Sequence, residues 1–187
     1  MGAHKLWLVR HAQPLLEPGV CYGRLDVAAD PQATRICAEA LAEVLPSCIA
    51  VISSPLQRCE LLAQALQGLR ADLTYKTDAR LQEMDFGDWE GRRWSDIPQA
   101  ALAAWTARFG DHAVGGHGET VAAVMARTAA AFDELSPATD TLWITHAGVM
   151  RAAGLIARGV RQVARADQWP VAGPAYGQWC TLDLHLS

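Results

Sequence analysis

The feature that most constrains this chain is an alternation between short apolar runs and stretches of helical period. Residues 6–9 (Leu-Trp-Leu-Val), residues 49–52 (Ile-Ala-Val-Ile) and Thr141–Thr145 are brief and dominated by apolar side chains, as buried strands are. Asp30 and Pro31 read as the N-cap and first residue of a helix, in which Ala33, Ile36, Cys37, Ala40, Leu41 and Val44 share a face and which Pro46 stops. Ser53-Ser54-Pro55 repeats that signal after the second run and predicts a helix carrying Cys59, Leu62, Ala63 and Leu66. A third strand fits residues 73–77. The clearest helix covers residues 119–135, with Val121, Val124, Met125, Thr128, Phe132 and Leu135 on one side. Another covers residues 148–158, and residues 179–186 alternate with the period of two of an edge strand.

Strand–helix alternation of this kind implies an α/β three-layer sandwich: a mostly parallel sheet with an antiparallel edge strand, and helices on both faces. Residues 92–118, rich in Trp, Ala and Gly, break the pattern and read as an excursion over one sheet edge with a short helix at residues 99–109. No repeat or linker divides the 187 residues, so a single domain, 1–187, is expected.

If the strands are parallel, their carboxyl ends face one crevice. The first delivers Arg10 and His11, the second Ser53, Ser54 and, one turn on, Arg58, and the fourth delivers His146. Two histidines and two arginines at helix N-termini describe an anion site, and phosphate is the obvious anion. Arg58 adds a separate signal, because a cation in the first turn of a helix opposes the macrodipole. His11, behind an arginine, is a candidate nucleophile toward phosphorus. His146, with the amide of Ala147 beside it, is a candidate donor to the phosphoryl oxygens. His4, His112, His117 and His185 read as surface or loop residues.

Residues 81–91 hold Glu83, Asp85, Asp88 and Glu90, any one of which could serve as the acid that protonates a leaving group; spacing alone does not choose among them. Asp85-Phe86-Gly87 matches a kinase triplet without the rest of that signature, and Gly115-Gly116-His117-Gly118 lacks the Lys-Ser/Thr of a phosphate loop and reads as a flexible turn.

Composition narrows the function. A net charge of −4 argues against nucleic acid or anionic membrane as partner. The five cysteines, Cys21, Cys37, Cys48, Cys59 and Cys180, are odd in number and form no CxxC pair, which fits buried or semi-buried thiols in a reducing compartment. The apolar run at residues 6–9 is too short for a signal or a membrane span, so a soluble cytoplasmic protein is expected.

Leu8-Val9-Arg10-His11-Ala12, Ser53-Ser54-Pro55-Leu56-Gln57-Arg58, the segment at residues 83–91 and Thr145-His146-Ala147-Gly148 together resemble the histidine phosphatase, or phosphoglycerate mutase-like, superfamily, in its motif order and over nearly the whole chain. The resemblance implies His11 as the phosphohistidine nucleophile, Arg10, Arg58 and His146 as the phosphate pocket, and Glu83 as the proton donor. It implies no metal or organic cofactor. Tyr22-Gly23-Arg24 stands where that family has a second phosphate-contacting turn, so Gly23 would offer an amide and Arg24 a charge; Gln13, Tyr22 and Ala147 complete the implied substrate contacts. Within the superfamily the chain is most similar to α-ribazole phosphatases of cobalamin assembly, in the turn at residues 21–27, the segment at residues 83–91 and Gly177-Gln178-Trp179. Ala12 replaces the usual Gly after the nucleophile, and Gln13-Pro14 replaces the usual Glu-Thr or Glu-Ser.

The expected activity is therefore hydrolysis of a small phosphomonoester, α-ribazole 5′-phosphate being one candidate. A phosphoglycerate mutase-type phosphomutase and a non-catalytic phosphate-ligand or protein-binding domain are the alternatives. The tryptophans between Trp89 and Trp105 could form core, a hydrophobic substrate wall or a homodimer contact.

Overall fold

The computed structural model describes residues 4–184; His185 and Leu186, the last two residues of the expected final strand, lie outside the described residues. The elements are β1 (His4–Arg10), α1 (Pro31–Val44), β2 (Ala50–Ser53), α2 (Gln57–Leu69), β3 (Tyr75–Thr77), α3 (Gln99–Ala107), α4 (Val121–Asp133), β4 (Thr141–Thr145), α5 (Ala147–Ile156) and β5 (Trp179–Leu184). They form one five-stranded sheet in the order β3-β2-β4-β1-β5. Its first four members are parallel and β5 runs antiparallel along β1, as expected.

The apolar runs are explained by burial on both faces. Leu6, Leu8 and Trp143 point to one face, where α4 and α5 cover them with Ala131, Val149, Met150 and Ala153. Val9, Val51, Leu142 and Ile144 point to the other, under Cys37, Ala38 and Leu41 of α1 and Cys59, Leu62 and Leu66 of α2. The pairing Arg10↔Thr145 and Ser53↔Ile144 brings the carboxyl ends of β1, β4 and β2 level with one another.

Several sequence expectations shift. Helix α2 starts at Gln57 with Leu56 as its N-cap and no side-chain cap, not at Ser54-Pro55. The Ser54 hydroxyl is committed elsewhere, to His146. Helix α4 starts at Val121, capped by the Thr120 hydroxyl, because Glu119 turns aside to pair with Arg127. The segment at residues 92–118 does not lie over a sheet edge. Its Trp94, Ile97, Trp105 and Phe109 pack with Trp89 against Val121, Val124, Ala152 and Leu155, building a second core outside α4 and α5. Nor is Gly115–Gly118 a loose turn: Gly115 accepts a hydrogen bond from the Asp88 amide, and Glu119 donates to the Asp85 carbonyl, so the two loops are knitted together. Of the cysteines, Cys21, Cys37 and Cys59 are buried, while Cys48 and Cys180 are exposed; all are free.

Candidate active site

The backbone of His11 is held from two sides. Its amide donates to the Thr145 carbonyl of β4 (3.1 Å), and its carbonyl accepts from the Gly177 amide (3.1 Å) just before β5. The side chain is 1% exposed. Its Nδ1 lies 2.7 Å from the Ala12 carbonyl, which can only accept, so Nδ1 carries the proton and Nε2 keeps its lone pair. Burial, then the charge of Arg58, and more weakly that of Arg10, lower the imidazole pKa to about 3, against the hydrogen bond to Ala12. A neutral, oriented imidazole results.

Behind it lies His146, fully buried, with ring centroids 5.1 Å apart. The Ser54 hydroxyl accepts from the Leu56 amide (3.3 Å) and sits 2.9 Å from His146 Nε2. Donating its proton there puts the proton of His146 on Nδ1, which is buried and has no partner. Burial and the neighbouring His11 hold this imidazole's pKa well below the usual range.

Three arginines converge on the same region. Arg10 donates to the Pro174 carbonyl (3.0 Å) and lies over the Tyr176 ring at 3.8 Å. Arg58, 0% exposed, donates to the carbonyls of Leu25 (2.9 Å) and Gly23 (2.6 Å) and sits 5.1 Å from the Tyr22 ring centre. Arg151, on α5, donates to the Val171 carbonyl (3.3 Å). Each leaves a buried Nε without a partner, and none forms a salt bridge among the described residues, whereas seven other arginines do. A buried unmet donor costs about 1–3 kcal/mol, so three of them on cationic side chains in one region point to an anion as their partner.

Arg10, His11, Gln13, Tyr22, Glu83, Ala147, Arg151 and Tyr176 line a cavity of about 390 Å³. Arg58 and His146 stand behind His11 rather than on its wall. The structure also separates the four acidic residues. Glu90 is saturated, accepting from the backbone amides of Arg24 (2.8 Å), Leu25 and Phe86 (3.0 Å). Asp85 accepts from the Gly87 amide (2.8 Å) and faces Arg24, and Asp88 lies outside beside His117. Only Glu83 of the four reaches the cavity. One of its oxygens accepts from the Met84 amide (3.0 Å) and the other from the Gly148 amide (3.1 Å) at the start of α5. A Cβ on Gly148 would lie 2.2 Å from Glu83 Oε1, so glycine is what lets the carboxylate sit against the helix.

Two of the implied substrate contacts have other partners in the structure. Gly23 does not line the cavity; its carbonyl orients Arg58, and a Cβ there would lie 1.8 Å from the Met84 carbonyl oxygen. Arg24 points to Asp85, 3.8 Å away. Sequence reasoning missed Arg151 and Tyr176. Arg151 did leave a signal, being the one charged residue in an otherwise apolar helix. Tyr176, whose hydroxyl lies 2.7 Å from that of Tyr22, sits in a loop that offers none. No described helix is long and apolar enough to cross a membrane.

The histidine phosphatase superfamily (branch 1) matches residues 6–183 of the chain. No curated protein matches it significantly. Among solved structures, the mycobacterial glucosyl-3-phosphoglycerate phosphatase is similar at 25% identity and a TM-score of 0.79, covering 96% of this chain and 90% of that one. The same phosphatase in complex with inorganic phosphate is similar at 26% identity and a TM-score of 0.78, covering 96% and 89%. The protein TTHB049 from Thermus thermophilus is similar at 25% identity and a TM-score of 0.73, covering 95% and 92%.

Proposed function

Since the chain belongs to branch 1 of the histidine phosphatase superfamily and is a phosphatase, we propose that it hydrolyses a small phosphomonoester in two steps through a phosphorylated His11. The observation that carries this reading is the buried His11 imidazole with its Nδ1 proton fixed on Ala12 and its Nε2 free, beside arginines that have unmet buried donors and form no salt bridge among the described residues.

The substrate phosphate binds over His11, where Arg10 on the cavity wall and the buried Arg58 supply charge, and it seats deeply enough beside the imidazole to accept from the unpartnered Nδ1–H of His146. The Nε2 lone pair of His11 attacks phosphorus in line. As the P–O bond to the alcohol breaks, its electron pair passes to the departing oxygen, which takes the proton of a protonated Glu83. Water then attacks the phosphohistidine and gives its proton to the Glu83 carboxylate, and the P–N electron pair returns to His11. Charge on the equatorial oxygens meets fixed guanidinium and imidazole donors, the main source of acceleration in phosphoryl transfer.

The motif likeness makes α-ribazole 5′-phosphate the first substrate to test, with glucosyl-3-phosphoglycerate, the substrate named for the structural neighbour, as its comparator. Five free cysteines favour a reducing compartment, the cytoplasm, for this activity. The decisive experiment is rapid quench with a radiolabelled phosphomonoester. An acid-labile, base-stable phosphoenzyme is expected in the wild type and neither label nor turnover in His11→Ala; full turnover by that variant overturns the mechanism.

A further inference from the structure

A second cavity, of about 360 Å³, adjoins the first, and Glu83, Phe86, Trp94 and Arg151 line both. Beyond the bar formed by Glu83 and Arg151 its walls are apolar and largely aromatic: Phe86, Trp94, Trp105, Phe109 and Trp169, with Val121 and Val124. The rings meet edge to face, Phe86 against Trp94 at 5.5 Å and Phe109 against Trp169 at 6.2 Å, while Trp105 stacks on Phe109 at 5.3 Å. The indole N–H of Trp105 is buried and has no acceptor in the protein.

We infer that this chamber receives the alcohol half of the substrate, a flat, uncharged heteroaromatic group joined to the phosphate by a short aliphatic linker. The inference deepens the phosphohistidine reading and rests on it. Glu83 stands where the two chambers meet, so an ester oxygen beside its carboxyl has the phosphate on the His11 side and the alcohol among the rings. Size fits: a cavity of about 150 Å³ holds benzene, so the chamber has room for fused rings. Chemistry fits as well. Faces and edges of five rings favour a π-system over a polyol, and a ring nitrogen with its lone pair in the ring plane would accept from the Trp105 N–H. A carboxylate pushed beyond Arg151 would meet no partner.

The test uses esters of primary alcohols, whose leaving groups differ little, so that kcat/KM reports the chamber. With the wild-type enzyme, 2-(quinolin-3-yl)ethyl phosphate, whose ring nitrogen can accept, is expected to exceed glycerol 3-phosphate and 3-phosphoglycerate by about 100-fold, mostly through KM. Trp105→Ala should cut that ratio by about tenfold. In case this variant does not fold, a wild-type measurement stands independently: 2-(quinolin-3-yl)ethanol should inhibit competitively, and glycerol should not. Equal kcat/KM values, or no competition by the aromatic alcohol, overturn the inference. Label on His11 with equal kcat/KM values removes this inference and leaves the phosphohistidine mechanism standing. Competition by the alcohol with no label from any ester does the reverse, retaining the chamber as a ligand site and removing the mechanism.

Discussion

Gly148→Ala separates the role of Glu83 in chemistry from any role in stability. The new Cβ would lie 2.2 Å from Oε1 and 3.1 Å from Cδ of Glu83, and these are the tip of a flexible side chain, so the carboxyl swings away and the backbone stays. The hydrogen bond from the Gly148 amide to Glu83 (3.1 Å) is lost, at about 1.5–3 kcal/mol for a charged acceptor, less whatever water restores to the half-buried carboxylate. Against this, alanine in a helix is favoured over glycine by about 0.5–1 kcal/mol. The net destabilisation is about 1 kcal/mol, a few degrees in Tm for a chain this long. Catalysis should suffer far more. A displaced general acid costs about 10²–10⁴-fold, but only where the leaving oxygen needs a proton. So kcat/KM for an alkyl phosphate should fall by about 10²–10³-fold, and that for p-nitrophenyl phosphate, whose phenolate departs unaided, by less than about tenfold. Gly154→Ala, in the same helix with nothing within 4 Å of the added Cβ, is the control and should keep both activities. Equal losses on both esters, or none, would refute proton donation by Glu83.

Arg58→Lys replaces a fork that spans two carbonyls with a single ammonium, and should lower kcat/KM by at least about tenfold and stability by about 1–3 kcal/mol, read by steady-state kinetics and urea unfolding. Glu90→Gln keeps the shape but removes the charge that three backbone amides share; because that carboxylate pins the turn whose carbonyls hold Arg58, inorganic phosphate should inhibit more weakly, with stability down by about 1–3 kcal/mol. Stability should also depend on His11. Its pKa falls from 6.5 to about 3 on folding, so the unfolded chain binds the proton more tightly; the contribution is complete above pH 6.5 and drains away as pH falls toward 3. Unfolding curves from pH 7 to pH 4 should show a shallower slope in His11→Ala than in the wild type; parallel slopes would contradict the depressed pKa.

Most of the sheet was legible in the chain because strands buried on both faces leave continuous apolar runs, and Thr141–Thr145 was read to the residue. Boundaries slipped where a side chain answered a distant demand. Ser54 and Pro55 look like a helix start, yet the Ser54 hydroxyl serves His146, 92 positions away in sequence. The same limit governed the acids. Nothing local distinguishes Glu83 from Glu90: one meets the N-terminus of α5, and the other meets the turn at residues 23–25. The excursion at residues 92–118 was misplaced because tryptophan spacing records that a surface is buried, not which surface covers it. The pairing of Arg24 with Asp85 was not legible because the two are remote in sequence.

Arg58 is a cation set against its helix dipole, and the structure supplies the reason such a placement persists. A guanidinium held by a carboxylate is fixed but electrically spent; one held by carbonyl dipoles and ring faces is fixed and keeps its charge. Arg58 is held by Gly23 and Leu25 with Tyr22 alongside, Arg10 by Pro174 and Tyr176, and Arg151 by Val171. Through-space repulsion among such groups carries a cost, and after burial, the larger effect, it depresses the pKa of both His11 and His146. That cost is what a dianionic phosphate relieves on binding. The same fields that, with burial, keep His11 unprotonated and so able to attack therefore also draw in the group it attacks. A carboxylate placed to stabilise the free protein would weaken both effects together. Glu90, the acid that holds the turn beside Arg58, accordingly has its oxygens directed to backbone amides and reaches the guanidinium only through that turn.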